Sequence, residues 1–156
     1  MQRCKRAEID GVILPDLPFE EKDEFLPVCH QYGIDLISLI APTSADRVAM
    51  IAKEAEGFIY LVSSLGVTGT RSEITTDLSS IVSVIRENTN IPCAIGFGIS
   101  RPDQARAMAK LSDGAIVGSA IIKLISEKLA EENVEAAPEL VGAYIRQMKE
   151  AISDLT

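Results

Sequence analysis

Short apolar runs alternate with amphipathic stretches along the whole chain. Val12–Leu14, Ile34–Ile40, Phe58–Val62, Pro92–Ile95 and Ala115–Val117 are mostly apolar and are closed by turn residues. Runs of this kind, too short for helices, predict strands buried on both faces, as in a parallel sheet. The stretches between them repeat their apolar residues at helical spacing. Val48, Ile51, Ala52 and Ala55 form one stripe in a helix expected from about Ala45 to Glu56. Leu78, Ile81, Val82 and Ile85 do the same between Asp77 and about Asn88, and Ala105, Met108 and Ala109 in a helix from Ser100 or Arg101 to Leu111. A further helix is predicted from Ser119 to about Ala130, and a last one is opened by Pro138, since proline is tolerated in a first turn. Near the N-terminus, Met1–Ala7 reads as the tail of a helix. The next helix is expected from Asp23 or Glu24 to Gly33, with Pro27 in its first turn. Gly33 and Gly57 are the expected stops, because glycine takes the left-handed conformation that ends a helix.

Strand and helix therefore alternate five times, and no Asn-Gly or comparable hairpin signal lies between the apolar runs. That order predicts parallel strands joined by right-handed crossovers. An open dinucleotide-type sheet would carry GxGxxG after the first strand with an acidic residue about twenty positions on. Neither is present. Polar and small residues instead stand at the end of every strand: Asp16, Thr43, Tyr60 with Ser63, Gly96 with Gly98, and Gly118 with Ser119. This spread fits the mouth of a barrel, to which each strand delivers a residue. The expected fold is α/β: a parallel (β/α) barrel present as about five strand-helix units of an eight-unit TIM barrel, plus a C-terminal helix. Residues 1–156 are expected to form one partial barrel domain.

Composition narrows the function classes. No apolar run approaches the roughly 20 residues a membrane helix needs. Arg3, Lys5 and Arg6 are followed by Glu8 and Asp10 and not by an apolar h-region, so no signal peptide is read and a cytoplasmic location is expected. The net charge of -8, without a Lys/Arg cluster, argues against nucleic acid or an anionic membrane as partner. A small anion held by backbone amides remains compatible. Cys4, Cys29 and Cys93 are odd in number, widely spaced and without a CxxC, which reads as buried thiols in a reducing compartment. The single histidine, His30, is expected at the surface near a helix C-terminus. No metal set can be assembled and no cofactor is expected.

The chemistry concentrates in Ile91–Ser100, IPCAIGFGIS, where a strand runs into Gly96-Phe97-Gly98 and meets a helix that Ser100 would cap. Glycines there let backbone N–H groups approach a phosphate, and the helix dipole adds positive potential. DGAIVGSAI repeats the pattern, with Gly118 before Ser119 as the expected cap. Two such turns at the ends of neighbouring strands are where β/α barrels commonly hold phosphate. Each taken singly reads equally as a plain glycine turn. The segment SSLGVTGTRSEITT is a long polar loop of the kind that is usually a functional lid or disordered.

Together, the motifs DGVILPDLPFEE, YLVSSLGVTGTR, AIGFGIS and DGAIVGSAII resemble the α subunit of tryptophan synthase. The similarity runs from about Ala7 to the last helix, and four motifs in order make it specific. The resemblance implies a β/α barrel that cleaves indole-3-glycerol phosphate to indole and glyceraldehyde 3-phosphate, in an α2β2 heterotetramer with a β subunit. It implies phosphate contacts at Gly69, Phe97, Gly98, Gly118 and Ser119, with Tyr60 against the substrate and Thr68 in the mobile loop that closes the site. Asp16 would lie on the rim near the partner subunit. Tyr60 reads equally as a core aromatic, Thr68 and Gly69 as plain loop residues, and Asp16 as a strand terminator. The family's two catalytic acids, a Glu and an Asp, lie in the first part of the barrel. This sequence is expected to begin after the third strand, so the catalytic residues are not assigned within it and the chain alone is expected to bind without turnover. Two other readings stand beside this one. One is another sugar-phosphate barrel enzyme such as an isomerase, and the other a non-catalytic phosphate-binding half barrel.

Overall fold

The computed structural model describes residues 1–63, 78–130 and 134–155. A short helix α1 (Gln2–Arg6) precedes strand β1 (Gly11–Val12); a 3-10 turn (Phe19–Glu24) then leads into α2 (Leu26–Gln31). Strands β2 (Asp35–Leu36) and β3 (Ser38–Ile40) follow, then α3 (Ala45–Lys53) and β4 (Ile59–Val62). The remainder is α4 (Ser79–Asn88), β5 (Cys93–Gly96), α5 (Pro102–Ala109), β6 (Gly114–Ala115), α6 (Ser119–Ala130) and α7 (Ala137–Glu150). Every strand pair is parallel, β1 with β2 and then β3-β4-β5-β6 in chain order. This is the arrangement of consecutive units of a β/α barrel, as the strand-helix alternation predicts.

β2 and β3 are two halves of one extended segment. Asp35 N–H donates to Asp10 O at 2.8 Å and Ile37 N–H to Val12 O at 2.9 Å, whereas Ser38–Ile40 turn to β4. The staggered partners on the two sides break the ladder at Ile37, where the sequence reads one strand from Ile34 to Ile40. Such an offset is the stagger that a tilted barrel requires.

The helical stripes do what their spacing predicts. Val48, Ile51 and Ala52 of α3 and Val82 and Ile85 of α4 join one buried cluster with Ile59 and Leu61 of β4 and Cys93 and Ile95 of β5. Strand side chains alternate, so Tyr60, Val62, Ala94 and Gly96 belong to the opposite face. That inner face carries the site. Gly33 and Gly57 both stand at φ +62 after their helices.

Several boundaries differ from expectation. Residues 19–24 form a 3-10 turn where the sequence suggests the approach to an α-helix, and α2 begins only at Leu26 with Pro27 in its first turn. Ser100 does not cap α5: the buried Gln104 side chain accepts from the N–H groups of both Ser100, at 2.9 Å, and Arg101, at 3.1 Å. Ser119 is the first residue of α6, and Gly118 occupies the cap position, its carbonyl accepting from Ile121 and Ile122. Cys29 and Cys93 are buried, but Cys4 is only half-buried.

Candidate active site

The ends of β4, β5 and β6 meet around a cleft of about 160 Å³, walled by Tyr60, Phe97, Gly98, Ile116, Gly118 and Ser119. Five residues singled out from sequence are thus brought to one place: Tyr60, Phe97, Gly98, Gly118 and Ser119. The pairing register explains the convergence. Tyr60 lies opposite Ala94 and Val62 opposite Gly96, so the β4 and β5 termini arrive level, and β6 joins through Ile95 and Ala115.

Among the described residues, the backbone N–H groups of Gly118 and Ser119 take no hydrogen-bond partner, and Gly98 stands in an isolated β-bridge at the end of the β5 turn. Those of Gly118 and Ser119 stand at the N-terminus of the 12-residue α6, the positive end of its dipole. Among the described residues no charged side chain lines the cleft. What these residues offer an anion is backbone amides and the Ser119 hydroxyl. The donors of α5 contribute less than its position suggests, because Gln104 already occupies two of them.

The glycines differ in what they permit. A Cβ on Gly96 would come within 2.3 Å of the Tyr60 hydroxyl oxygen, so this glycine makes room for the tyrosine ring. A Cβ on Gly118 would meet nothing within 4 Å, so no contact inside the described chain accounts for its small size. Phe97 and Gly98 both have positive φ, 74° and 80°, and Phe97 packs edge-on against Tyr60 with ring centroids 5.8 Å apart. Burial pushes the Tyr60 phenol above its ordinary value, so it stays neutral at physiological pH.

Phe97 also lines a second, larger cavity of about 440 Å³, whose walls include Leu14, Phe19, Leu39, Ile51 and Val62. Its walls are largely apolar side chains, with charges at the edge. Arg47 donates two hydrogen bonds to Glu20, at 2.6 and 3.2 Å, and Lys22 pairs with Glu54, tying the 3-10 turn to α3. Asp16 lines neither space, although its neighbours Pro15 and Leu17 line the larger one, and it is exposed in the turn after β1. Thr68 and Gly69 lie outside the described residues. His30 is exposed in the last turn of α2 and pairs with Glu56 at 2.6 Å. Among the described residues no group of His, Cys, Asp and Glu is placed to hold a metal, and no helix is long and apolar enough to cross a membrane.

A family model described as tryptophan synthase alpha chain matches residues 1–153. The tryptophan synthase alpha chain of Lactiplantibacillus plantarum is 50% identical over 156 residues, covering 99% of this chain and 57% of that protein. That of Lacticaseibacillus casei is 44% identical, covering 97% of this chain and 55% of the relative. Among solved structures, tryptophan synthase subunit alpha from Legionella pneumophila superposes with a TM-score of 0.78 at 33% identity, over 98% of this chain and 55% of that one. The subunit from Campylobacter jejuni gives 0.71 at 40% identity, over 80% and 51% respectively. The chain thus spans about half the length of the curated relatives it matches.

Proposed function

This chain belongs to the tryptophan synthase alpha chain family, and from that premise we propose that it serves tryptophan biosynthesis as the phosphate-binding part of a carbon-carbon lyase. The substrate is indole-3-glycerol phosphate and the products are indole and glyceraldehyde 3-phosphate. One observation carries the reading: a cleft at the start of α6, lined by the glycine turns, opens beside an apolar cavity, and Phe97 is shared by both. A ligand with a phosphate at one end and a flat apolar ring at the other fits that pair of spaces better than a sugar phosphate does.

The reaction breaks the bond between indole C3 and the glycerol chain. The bonding electrons stay with the ring, C3 gains a proton, and the adjacent glycerol hydroxyl loses one as it becomes the aldehyde. Both transfers need positioned acid/base groups. Among the described residues no carboxylate lines the cleft, so the work of these residues is binding and orientation. The amides of Gly98, Gly118 and Ser119 hold the phosphate, and the Tyr60–Phe97 ring pair walls the passage toward the apolar cavity. Thr68 and Gly69 are proposed to complete the closure. Residues 1–156 act as one barrel segment of a cytoplasmic enzyme, with a tryptophan synthase β subunit as partner in an α2β2 assembly and Asp16 on the rim toward it.

Calorimetric titration tests this with three ligands: indole-3-glycerol phosphate, glycerol 3-phosphate and ribose 5-phosphate. The apolar cavity should favour the indole compound over ribose 5-phosphate by about tenfold or more, with no indole released by the chain alone. Equal binding of all three would point to a general sugar-phosphate barrel, and no binding of any would refute the site.

A further inference from the structure

Ser63, the residue after β4, is 0% exposed, yet both of its donors are used on the same neighbouring turn. Its N–H donates to the Gly96 carbonyl at 2.9 Å, and its Oγ donates to the Phe97 carbonyl at 2.5 Å. Phe97 is the residue of that turn held at φ 74°, a region that a side chain with a Cβ rarely adopts. The peptide between Phe97 and Gly98 is trans, as are all the peptides described. In a trans peptide the C=O and the following N–H point in opposite directions. Drawing the Phe97 carbonyl inward onto a buried hydroxyl therefore turns the Gly98 N–H outward, and Gly98 lines the cleft.

We propose that Ser63 is a positioning residue of the anion site: its hydroxyl fixes the Phe97–Gly98 peptide so that the Gly98 N–H is aimed at the bound phosphate. The inference rests on the reading of the cleft as a phosphate site. Ser63 touches no ligand in this account and acts only through the peptide it holds. A buried serine at the end of a strand would otherwise be a poor choice, since an apolar residue of similar size avoids the desolvation of its hydroxyl.

Ser63→Thr and Ser63→Val provide the test, because the two side chains share a shape and differ in the hydroxyl. Each variant and the parent chain are titrated with inorganic phosphate while the backbone amides of Gly98 and Ser119 are followed by NMR, with far-UV circular dichroism as the control for folding. The valine variant should bind phosphate roughly tenfold more weakly, the size of one lost hydrogen bond of about 1.4 kcal/mol. It should lose the phosphate-induced shift at Gly98 while keeping that at Ser119. The threonine variant should stay within about twofold of the parent, since its hydroxyl can still hold the peptide. A valine variant whose Gly98 shift persists, or whose Gly98 and Ser119 shifts fall together, would overturn the positioning role while leaving the site intact. A parent chain that shows no phosphate response at either amide would overturn the site reading and this inference with it. Should the valine variant lose its far-UV spectrum, Ser63→Ala answers the same question with a smaller side chain.

Discussion

Gly118 and Gly96 are small for opposite reasons, and the difference separates binding from folding. Among the described residues nothing lies within 4 Å of a Cβ on Gly118, and its φ lies outside the left-handed range. Gly118→Ala should therefore change stability by no more than about 1 kcal/mol, the ordinary difference between the two residues at a helix cap. Phosphate binding should fall by about tenfold, because the new methyl occupies space the anion needs and overfilling of that kind costs on the order of 1–3 kcal/mol. Gly96→Ala should show the reverse priority. Its Cβ would lie 2.3 Å from the Tyr60 oxygen and 2.5 Å from the carbon that bears it, so chemical denaturation should register a loss of roughly 1–3 kcal/mol. Equal stability of the two variants would mean that Tyr60 does not rest over Gly96. At this scale the sequence was informative where a residue type is chemically unusual, as with Gly98, Gly118 and Ser119 beside a helix start. It was silent on Ser63 as a hydrogen-bond donor and on Gln104 as a cap. Both act through contacts set by packing, Ser63 across 34 positions and Gln104 by folding back on its own helix start.

Between elements, α5 and the C-terminal turn are pinned by one guanidinium. Arg106 donates to the Ala151 carbonyl at 2.7 Å and makes a two-pronged pair with Asp154, at 2.5 and 2.8 Å. The hydrogen bond from Arg106 holds the Asp154 carboxyl down at about 2, against an ordinary value of 3.8. A depressed carboxylate of this kind contributes its stabilisation in full above about pH 4 and loses it as pH falls through about 2. Hydrogen exchange of the amides at Ala151–Leu155 should therefore lose protection across that window, and Asp154→Asn should remove the pH dependence. Protection that is flat from pH 4 to 2 in the parent chain would show that the pair does not hold the C-terminus. Helices with a clear apolar stripe, α3 and α4, were legible from spacing because one buried face decides their register. The 3-10 turn at Phe19–Glu24 was not, since its geometry follows from Pro18 at φ -62 and ψ 146 together with the ion pairs to α3, and neither leaves a periodic signal.

At the scale of the whole molecule, the strand order leaves β1 and β6 each paired on one side only among the described residues. Ile9 and Ile13 beside β1 are 42% and 39% exposed, and Ile122 of α6 is 63% exposed. Unpaired parallel edges with apolar neighbours are surfaces on which a barrel continues. The parallel order was legible because strands separated by helices cannot be adjacent antiparallel hairpins. The offset at Ile37 was not, because barrel stagger is a property of neighbours and not of any one strand. The central claim is that the Phe97–Gly98 and Gly118–Ser119 turns hold the phosphate of an indole-bearing ligand. Titrating isotopically labelled chain with indole-3-glycerol phosphate, amide by amide in NMR spectra, tests it most directly. The account predicts saturable shifts at Gly98, Gly118 and Ser119 that inorganic phosphate reproduces, and shifts at Leu39 and Val62 that it does not. Shifts confined to a separate groove of about 240 Å³ between α6 and α7, lined by Ser100, Lys123 and Tyr144, or none that saturate, would contradict it.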